Sequence, residues 1–467
     1  MLGEKKRVVV VGGGITGLAA AYYLQKAAKT SQLPLAVTLI EATPRLGGKI
    51  RTIKKNGFVI EKGPDSFLAR KESVVRLVKD VGLGDQLVHS GAGQRYVLVN
   101  DKLHPIPSGS VIGVPTKILP FITTNLFSIT GKIRASADFF LPNNHLKNDT
   151  SLGGFFRHRL GDEIVENLIE PLLAGIYAGD IDKLSLRATL PQLNETGEKH
   201  RSLILGLKEI ASALTNESDG LLTLKDGLEE LAEAIEGRLE GGSVLKGLRV
   251  RQIERQEDGK FFLALNDGER VLADGVIVTS PHFTLPAMMP QHRFFDVLKE
   301  MPAMSVATIT MAFPEAAISQ SITGSGFVVS RNSDVTITAC TWIHKKWPHA
   351  APPGKALLCC YVGRAGDEAI VDLSDAEIEQ IVMADLKKVI ALSTEPEFTV
   401  VSRWKNAIPQ YTIGHNERIE AIEERIREQL PGFFIAGSSF RGIGIPDCIK
   451  QGEEAAQKAA SFIQNKD

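Results

Sequence analysis

The hydrophobic pattern opens with four consecutive valines, Val8 to Val11, which end at a glycine cluster and give way to an alanine- and leucine-rich stretch without proline. A continuous apolar run bounded by glycine predicts a strand buried on both faces, and the stretch after it predicts a helix. A second run, Val37 to Ile40, predicts another buried strand that ends on Glu41. Strand, glycine turn, helix, strand is the opening of a parallel α/β unit. The pattern then changes character. Helical spacing over 72–81, 151–159 and 162–173 makes residues from about 70 to 215 an inserted, mainly helical region. Alternation returns over 247–256 and 261–265, beside the turn signal Asn266-Asp267-Gly268, and a buried run over 274–280 predicts a strand rejoining the first sheet. Strands over 305–312, 326–330, 335–342 and 356–362, then a helix over 375–390, predict an antiparallel sheet backed by helix. Residues 432–439 repeat the opening theme, with a buried strand, a glycine turn through Gly442 and Gly444, and a helix from Ile449. The long apolar segment 111–133 is broken by Pro115, Lys117, Pro120 and Lys132, so it does not read as a bilayer-spanning helix. It reads as core-facing helices, with membrane-surface association as the weaker alternative.

Composition changes this picture little. Of 467 residues, 43% are hydrophobic and 23% charged, the balance of a soluble globular chain of about three domains. The net charge of −1 gives no reason to invoke nucleic acid. Cys340, Cys359, Cys360 and Cys448 are too few and too unevenly spaced for a disulfide framework or a zinc site, and fit a reducing cytoplasm. Lys5-Lys6-Arg7 before an apolar run imitates a secretory signal, but no small-residue cleavage site follows, so none is expected.

The candidate chemistry sits on the glycines. Gly12-Gly13-Gly14-Ile15-Thr16-Gly17 has the spacing of a dinucleotide turn. Gly12 turns the chain off the strand, Gly14 lets the backbone approach a pyrophosphate, and Gly17 lets helix and strand pack closely. The helix N-terminus then faces the phosphates. Glu41 is placed to accept both hydroxyls of an adenosine ribose and to repel a 2′-phosphate. Ala42 begins a turn through Gly47-Gly48 that carries Arg45, Lys49 and Arg51, the charge and close backbone that a second side of a pyrophosphate needs. Gly63-Pro64-Asp65-Ser66 is a rigid elbow suited to a flat ring. His104, His282 and His344 read as surface or capping residues, and no acid–base pair is evident.

Together the opening fingerprint, the Arg45-x-Gly-Gly-Lys49 turn, Gly63 to Ser66 and the terminal Phe434-Ile435-Ala436-Gly437 and Gly444-Ile445-Pro446-Asp447 resemble the flavin-containing oxidases of the protoporphyrinogen oxidase family, over essentially the whole chain. Asn167-Leu168-Ile169-Glu170-Pro171 and Gly175-Ile176-Tyr177-Ala178-Gly179-Asp180 are similar to the porphyrinogen oxidases rather than to the amine oxidases that share their fold. The likeness is nearest to the soluble Gram-positive form, whose expected substrate is coproporphyrinogen III. It implies a glutathione-reductase-like FAD-binding Rossmann domain over 1–70, 220–285 and 430–467, an α+β substrate-binding domain over 71–104, 181–219 and 286–429, and an inserted helical domain over 105–180.

Residue by residue, the resemblance implies FAD held by Gly12, Gly13, Gly14, Ile15, Thr16, Gly17, Ala42 and Lys49, with Glu41 on the ribose and Val250 beside the adenine. Gly63, Pro64, Asp65 and Ser66 would lie beside the flavin, and Trp404, Ile445, Pro446 and Asp447 around its ring. Wider relatives carry Arg in place of Lys49, and Asp after the terminal glycine, where Ser438 stands here. Arg70 and Lys71 follow the elbow and are the candidates for a propionate of a tetrapyrrole; Ile176 and Tyr361 are candidates for the pocket wall. There is no second dinucleotide fingerprint and no Cys-x4-Cys pair, so electrons reaching the flavin leave to an external acceptor, of which O2 is the simplest. The implied partners are a small-molecule tetrapyrrole, O2 and other haem-pathway enzymes, with no nucleic acid and no transmembrane segment. Three alternatives stay open: protoporphyrinogen IX oxidation, a flavin amine oxidase, and a nucleotide-dependent escort protein of related fold.

Overall fold

The computed structural model describes residues 5–91, 93–142, 148–213, 220–318 and 323–465. β1 (Lys6–Val11), α1 (Ile15–Thr30) and β2 (Leu35–Glu41) form the predicted unit. β1 lies at the centre of a five-stranded parallel sheet in the order Val244–Lys246, β2, β1, Gly275–Val278, Phe433–Ile435. The valine run is continuous because each side chain has a core to enter. Val8 and Val10 pack with Leu18 and Leu24 of α1. Val9 and Val11 pack on the other face with Phe261 and Leu263 of an antiparallel three-stranded sheet. The closing helix Ile445–Gln464 lies against α1, and Gly452 permits the contact: a Cβ there would stand 2.4 Å from the Thr16 carbonyl oxygen.

A seven-stranded sheet forms the second layer, in the order Phe398–Pro409, Ala303–Pro314, Lys355–Val362, Ala339–Trp342, Gly326–Val329, Arg95–Val99, Lys102–Pro105. It is antiparallel except where Gly326–Val329 runs parallel to Arg95–Val99. Helix Asp375–Val389 backs it, burying Ile378, Val382 and Leu386 against Ile309, Met311 and Phe313. Two of its strands, Arg95–Val99 and Lys102–Pro105, fall inside the region whose pattern is helical overall, and the twelve-residue strand Phe398–Pro409 has no distinct run of its own within a region that reads as strand-rich.

The expectation for 111–133 needs correction. Ile118–Thr123 and Ile129–Ser136 are helices, with Phe121, Leu126, Phe127 and Ala135 buried. Ile118, Leu119, Ile122, Ile129 and Ile133, however, are 58% to 76% exposed. Helices of six and eight residues turn one face to the core, and here the other face is apolar as well. Among the described residues no helix is long and apolar enough to cross a membrane. All four cysteines are buried and unpaired.

Candidate cofactor and active site

The glycine turn builds an open cradle at the start of α1. Gly12 sits at φ +106°, and a Cβ on Gly17 would stand 1.8 Å from the Gly12 carbonyl oxygen, so helix and turn are in direct backbone contact. Gly14 is the N-cap of α1; no side chain caps it and no acidic residue occupies the first turn. A Cβ on Gly14 would meet nothing within 4 Å. The unpaired N–H groups of a helix start, the positive end of its dipole and empty space in front of them together fit a pyrophosphate.

Glu41 stands at the edge of this cradle. Its Oε2 accepts from the Gly13 N–H at 2.6 Å, and its Oε1 from the N–H and hydroxyl of Thr43, both at 2.8 Å. A carboxylate offers about four acceptor positions, so one remains for a ribose hydroxyl. A second hydroxyl reaches it by displacing that of Thr43, which is a narrower fit than a free carboxylate would give. Ala42 is exposed beside it. Gly247 donates to the Thr43 carbonyl at 2.9 Å and Leu248 to that of Glu41 at 3.0 Å, which brings Val250, the buried start of Val250–Arg255, near the end of β2.

The next turn departs from expectation in one respect. Arg45 does not offer its charge to a phosphate; it folds back onto the carbonyls of Leu46, Gly48 and Ile50 at 2.7, 2.6 and 2.9 Å and onto Glu229 at 3.0 Å. It shapes the turn, while Gly47 donates to the Gly13 carbonyl at 2.8 Å and lays the turn over the glycine loop. Lys49 is the cation that reaches inward, with Nζ 2.7 Å from the Ala407 carbonyl and 3.2 Å from Ser438 Oγ. It is solvent-accessible, yet desolvation by the protein around it lowers its pKa. Lys49 thus lines the cleft between the glycine turn, the strand Phe398–Pro409 and the terminal turn at Ser438.

The elbow is wedged into the same cleft. A Cβ on Gly63 would lie 2.0 Å from the Lys49 carbonyl oxygen and 3.6 Å from the Trp404 ring. The Trp404 indole N–H donates to the Lys62 carbonyl at 2.6 Å. The Asp65 carboxylate accepts from Ser66, Lys346 and Trp347 and is taken up within the protein. Glu61, one strand position before Lys62, accepts from the Leu228 N–H and the Thr52 hydroxyl, and burial pushes its carboxyl up to about 8. A folded pKa above the unfolded value means this group's stabilising contribution is full below the ordinary carboxyl value of 4.5 and is lost as pH rises through about 8. In Glu61→Gln, therefore, the fall in Tm between about pH 5 and about pH 9 shrinks relative to the parent; an unchanged fall would mean Glu61 is ionised throughout.

At the far side, helix Ile445–Gln464 starts at Gly444, again without a side-chain cap, with Pro446 in its first turn. Asp447 pairs with Lys71 at 2.9 Å, and Ser73 Oγ donates to the Pro446 carbonyl at 2.8 Å. Lys71 is thus brought to the start of this helix, already holding a carboxylate. Arg70 beside it is exposed. Ile176 is 53% exposed, next to Tyr177, whose phenol is pushed up to about 12 by burial and the nearby Asp447 charge. Tyr361 lines a cavity of about 30 Å³ shared with Glu61, Gly63, Asp65 and Cys359. That volume takes water and no macrocycle, so its expected place in a substrate wall gives way to one behind the elbow.

The histidine expectation is corrected too. His282 is 2% exposed, with Nε2 2.9 Å from the Met301 carbonyl and Nδ1 3.2 Å from Ser439 Oγ, and His344 is buried beside the Leu357 backbone. Both are interior hydrogen-bonding residues. His104 is half-buried. Two site residues lack any sequence signal. Tyr411 donates to the Ser438 carbonyl at 2.7 Å and accepts from the Gly442 N–H at 2.9 Å, and Gln451 accepts from the Gly437 N–H at 3.1 Å. They fix the terminal glycine turn. Among the described residues no group of His, Cys, Asp and Glu could hold a metal ion.

A parallel sheet with an uncapped helix start after its first strand, and a carboxylate and a cation beside that start, has the features of a dinucleotide-binding enzyme. Residues 15–460 match the model of the flavin containing amine oxidoreductases, and the chain belongs to that family. It is 53% identical to coproporphyrinogen III oxidase of Bacillus subtilis (strain 168), with 98% of this chain and 99% of that protein covered. It is 31% identical to chloroplastic protoporphyrinogen oxidase 1 of Arabidopsis thaliana, covering 97% and 88%. A solved structure from Exiguobacterium sp. 255-15 superposes with a TM-score of 0.87 at 39% identity, covering 98% and 99%. The protein is an FAD-dependent oxidoreductase, and the cleft's residues fit that cofactor.

Proposed function

We propose that this protein is a coproporphyrinogen III oxidase, which takes six electrons from its substrate to give coproporphyrin III and passes them to three O2 as three hydrogen peroxide. The end-to-end similarity, at 53% identity, to the B. subtilis enzyme of that name carries this reading. Bound there, FAD would supply a hydride acceptor for the methylene bridges of the porphyrinogen. The chain's own residues bind and orient. Glu41 and the start of α1 hold the adenosine and pyrophosphate, with Lys49 in the cleft wall. The Gly63–Pro64 elbow, Trp404 and Ile445 to Asp447 enclose the ring. Ile176 offers apolar surface to a macrocycle, and Arg70 and Lys71 face its carboxylates. The pyrrole proton leaves to solvent or to a weak base. The reaction belongs to haem synthesis in the cytoplasm, beside the other enzymes of that sequence.

Oxygen uptake with coproporphyrinogen III and protoporphyrinogen IX tests the substrate. The expected kcat/KM is at least about tenfold higher for the tetracarboxylate; the reverse preference would transfer the assignment to protoporphyrinogen. Lys71→Ala should raise KM for coproporphyrinogen roughly tenfold with FAD occupancy intact, through loss of a partly desolvated ion pair. A KM within about twofold of the parent would move the carboxylate site away from Lys71.

A further inference from the structure

Asp65 directly follows the Gly63–Pro64 elbow, and three donors converge on it. Oδ1 accepts from Ser66 Oγ at 2.7 Å; Oδ2 accepts from Lys346 Nζ at 2.6 Å and from the Trp347 indole N–H at 3.2 Å. The Lys346 and Asp65 side chains are only 13% and 15% exposed. Lys346 and Trp347 come from the end of the short helix Ile343–Lys346, which leaves the seven-stranded sheet after Ala339–Trp342. Their own backbone is held: Gly91 donates to the Lys346 carbonyl at 2.8 Å, and the Trp347 ring is buried with Phe58, Ile60 and Leu357.

Such a pair gains little net stability over apolar residues of the same size, because two charges must leave water. What it does supply is direction. Three bonds fix the Asp65 carboxylate, Pro64 fixes φ, and Gly63 is wedged against the Lys49 carbonyl. On the other side of the elbow the Lys62 carbonyl is gripped by the Trp404 indole and by Thr308 Oγ1 at 3.3 Å. The elbow is therefore pinned at both ends by the seven-stranded sheet and its connections.

We infer that Lys346 and Trp347 are positioning residues of the flavin site, holding the elbow through Asp65 and balancing its charge beside the ring. The inference rests on the proposed placement of the elbow at the flavin. Glu61, His349, Cys359 and Tyr361 are the other titratable groups that line the cavity shared with Asp65.

The test uses the holoprotein and the variants Asp65→Asn, Trp347→Phe and the double variant Asp65→Asn/Lys346→Met, read by flavin midpoint potential and by hydrogen exchange over residues 62–68. Asp65→Asn leaves an unpaired cation, which favours the electron-rich reduced flavin and raises the potential. The double variant removes both charges and returns the potential toward the parent. Elbow amides exchange at least about tenfold faster in both, and about threefold faster in Trp347→Phe, which keeps the ion pair and so is the safer variant to fold. Parent exchange in Trp347→Phe, or potentials that are equal in the single and double variants, overturns the inference. Gly63→Ala separates this from failure of the underlying placement. If Gly63→Ala alters the flavin absorption while the other variants do not, the pinning is wrong; if it too leaves the flavin unchanged, the elbow is not at the ring.

Discussion

Replacing Glu41 with alanine weakens FAD binding at least tenfold. The carboxylate has two tasks in the structure. It holds the glycine loop through the Gly13 N–H at 2.6 Å, and it keeps one acceptor position for a ribose hydroxyl. Charge-assisted hydrogen bonds of this kind are worth about 1.5–3 kcal/mol each, and a loss of about 1.4 kcal/mol is already tenfold. The loop is loosened as well, so the effect exceeds that of the ribose contact alone. Titration of apoprotein with FAD measures it. Glu41→Gln should fall between, since an amide accepts more weakly than a carboxylate. Unchanged flavin occupancy after dilution and gel filtration would place the ribose elsewhere.

Gly17→Ala removes FAD and destabilises the fold at once. The new Cβ would stand 1.8 Å from the Gly12 carbonyl oxygen, a backbone atom, so α1 must move off the turn. Overpacking of this sort costs about 1–3 kcal/mol, and the displaced helix start no longer faces the phosphates. We expect purified Gly17→Ala to retain less than about a tenth of the parent's flavin and to melt several degrees lower. Gly14→Ala is the informative companion. Its Cβ meets nothing in the protein but enters the open space before the helix start, so Tm of the apoprotein holds while FAD affinity falls. Parent FAD affinity in Gly14→Ala would mean that the space before Gly14 is not the phosphate site.

Local chemistry explains why so much of the nucleotide domain was legible in the sequence. The glycine fingerprint, the valine run and the carboxylate at the end of β2 lie within one continuous βαβ unit, where short spacings dictate geometry. The remainder depends on partners far apart along the chain. Asp65 meets Lys346, Lys71 meets Asp447, and Tyr411 grips Ser438 and Gly442, none of which leaves a periodic mark. Phe398–Pro409 leaves no clear pattern because it is mostly half-buried and carries Arg403, Lys405 and Asn406 in its middle, so its alternation is weak. The charge of Arg45 alone does not reveal its role. Its guanidinium fork finds carbonyls within its own turn, a choice that spacing cannot show. The apolar faces of Ile118–Thr123 and Ile129–Ser136 misled in the opposite sense, since hydrophobicity predicts burial and here it lies on the surface.

The central claim is that a porphyrinogen reduces the flavin held in this cleft. Anaerobic mixing of the purified holoprotein with coproporphyrinogen III reads that step without oxygen, peroxide or later turnovers. The flavin absorption band is expected to bleach, and admitting air to restore it, together with the appearance of porphyrin absorption. A band that stays unchanged under anaerobic excess of coproporphyrinogen would contradict it.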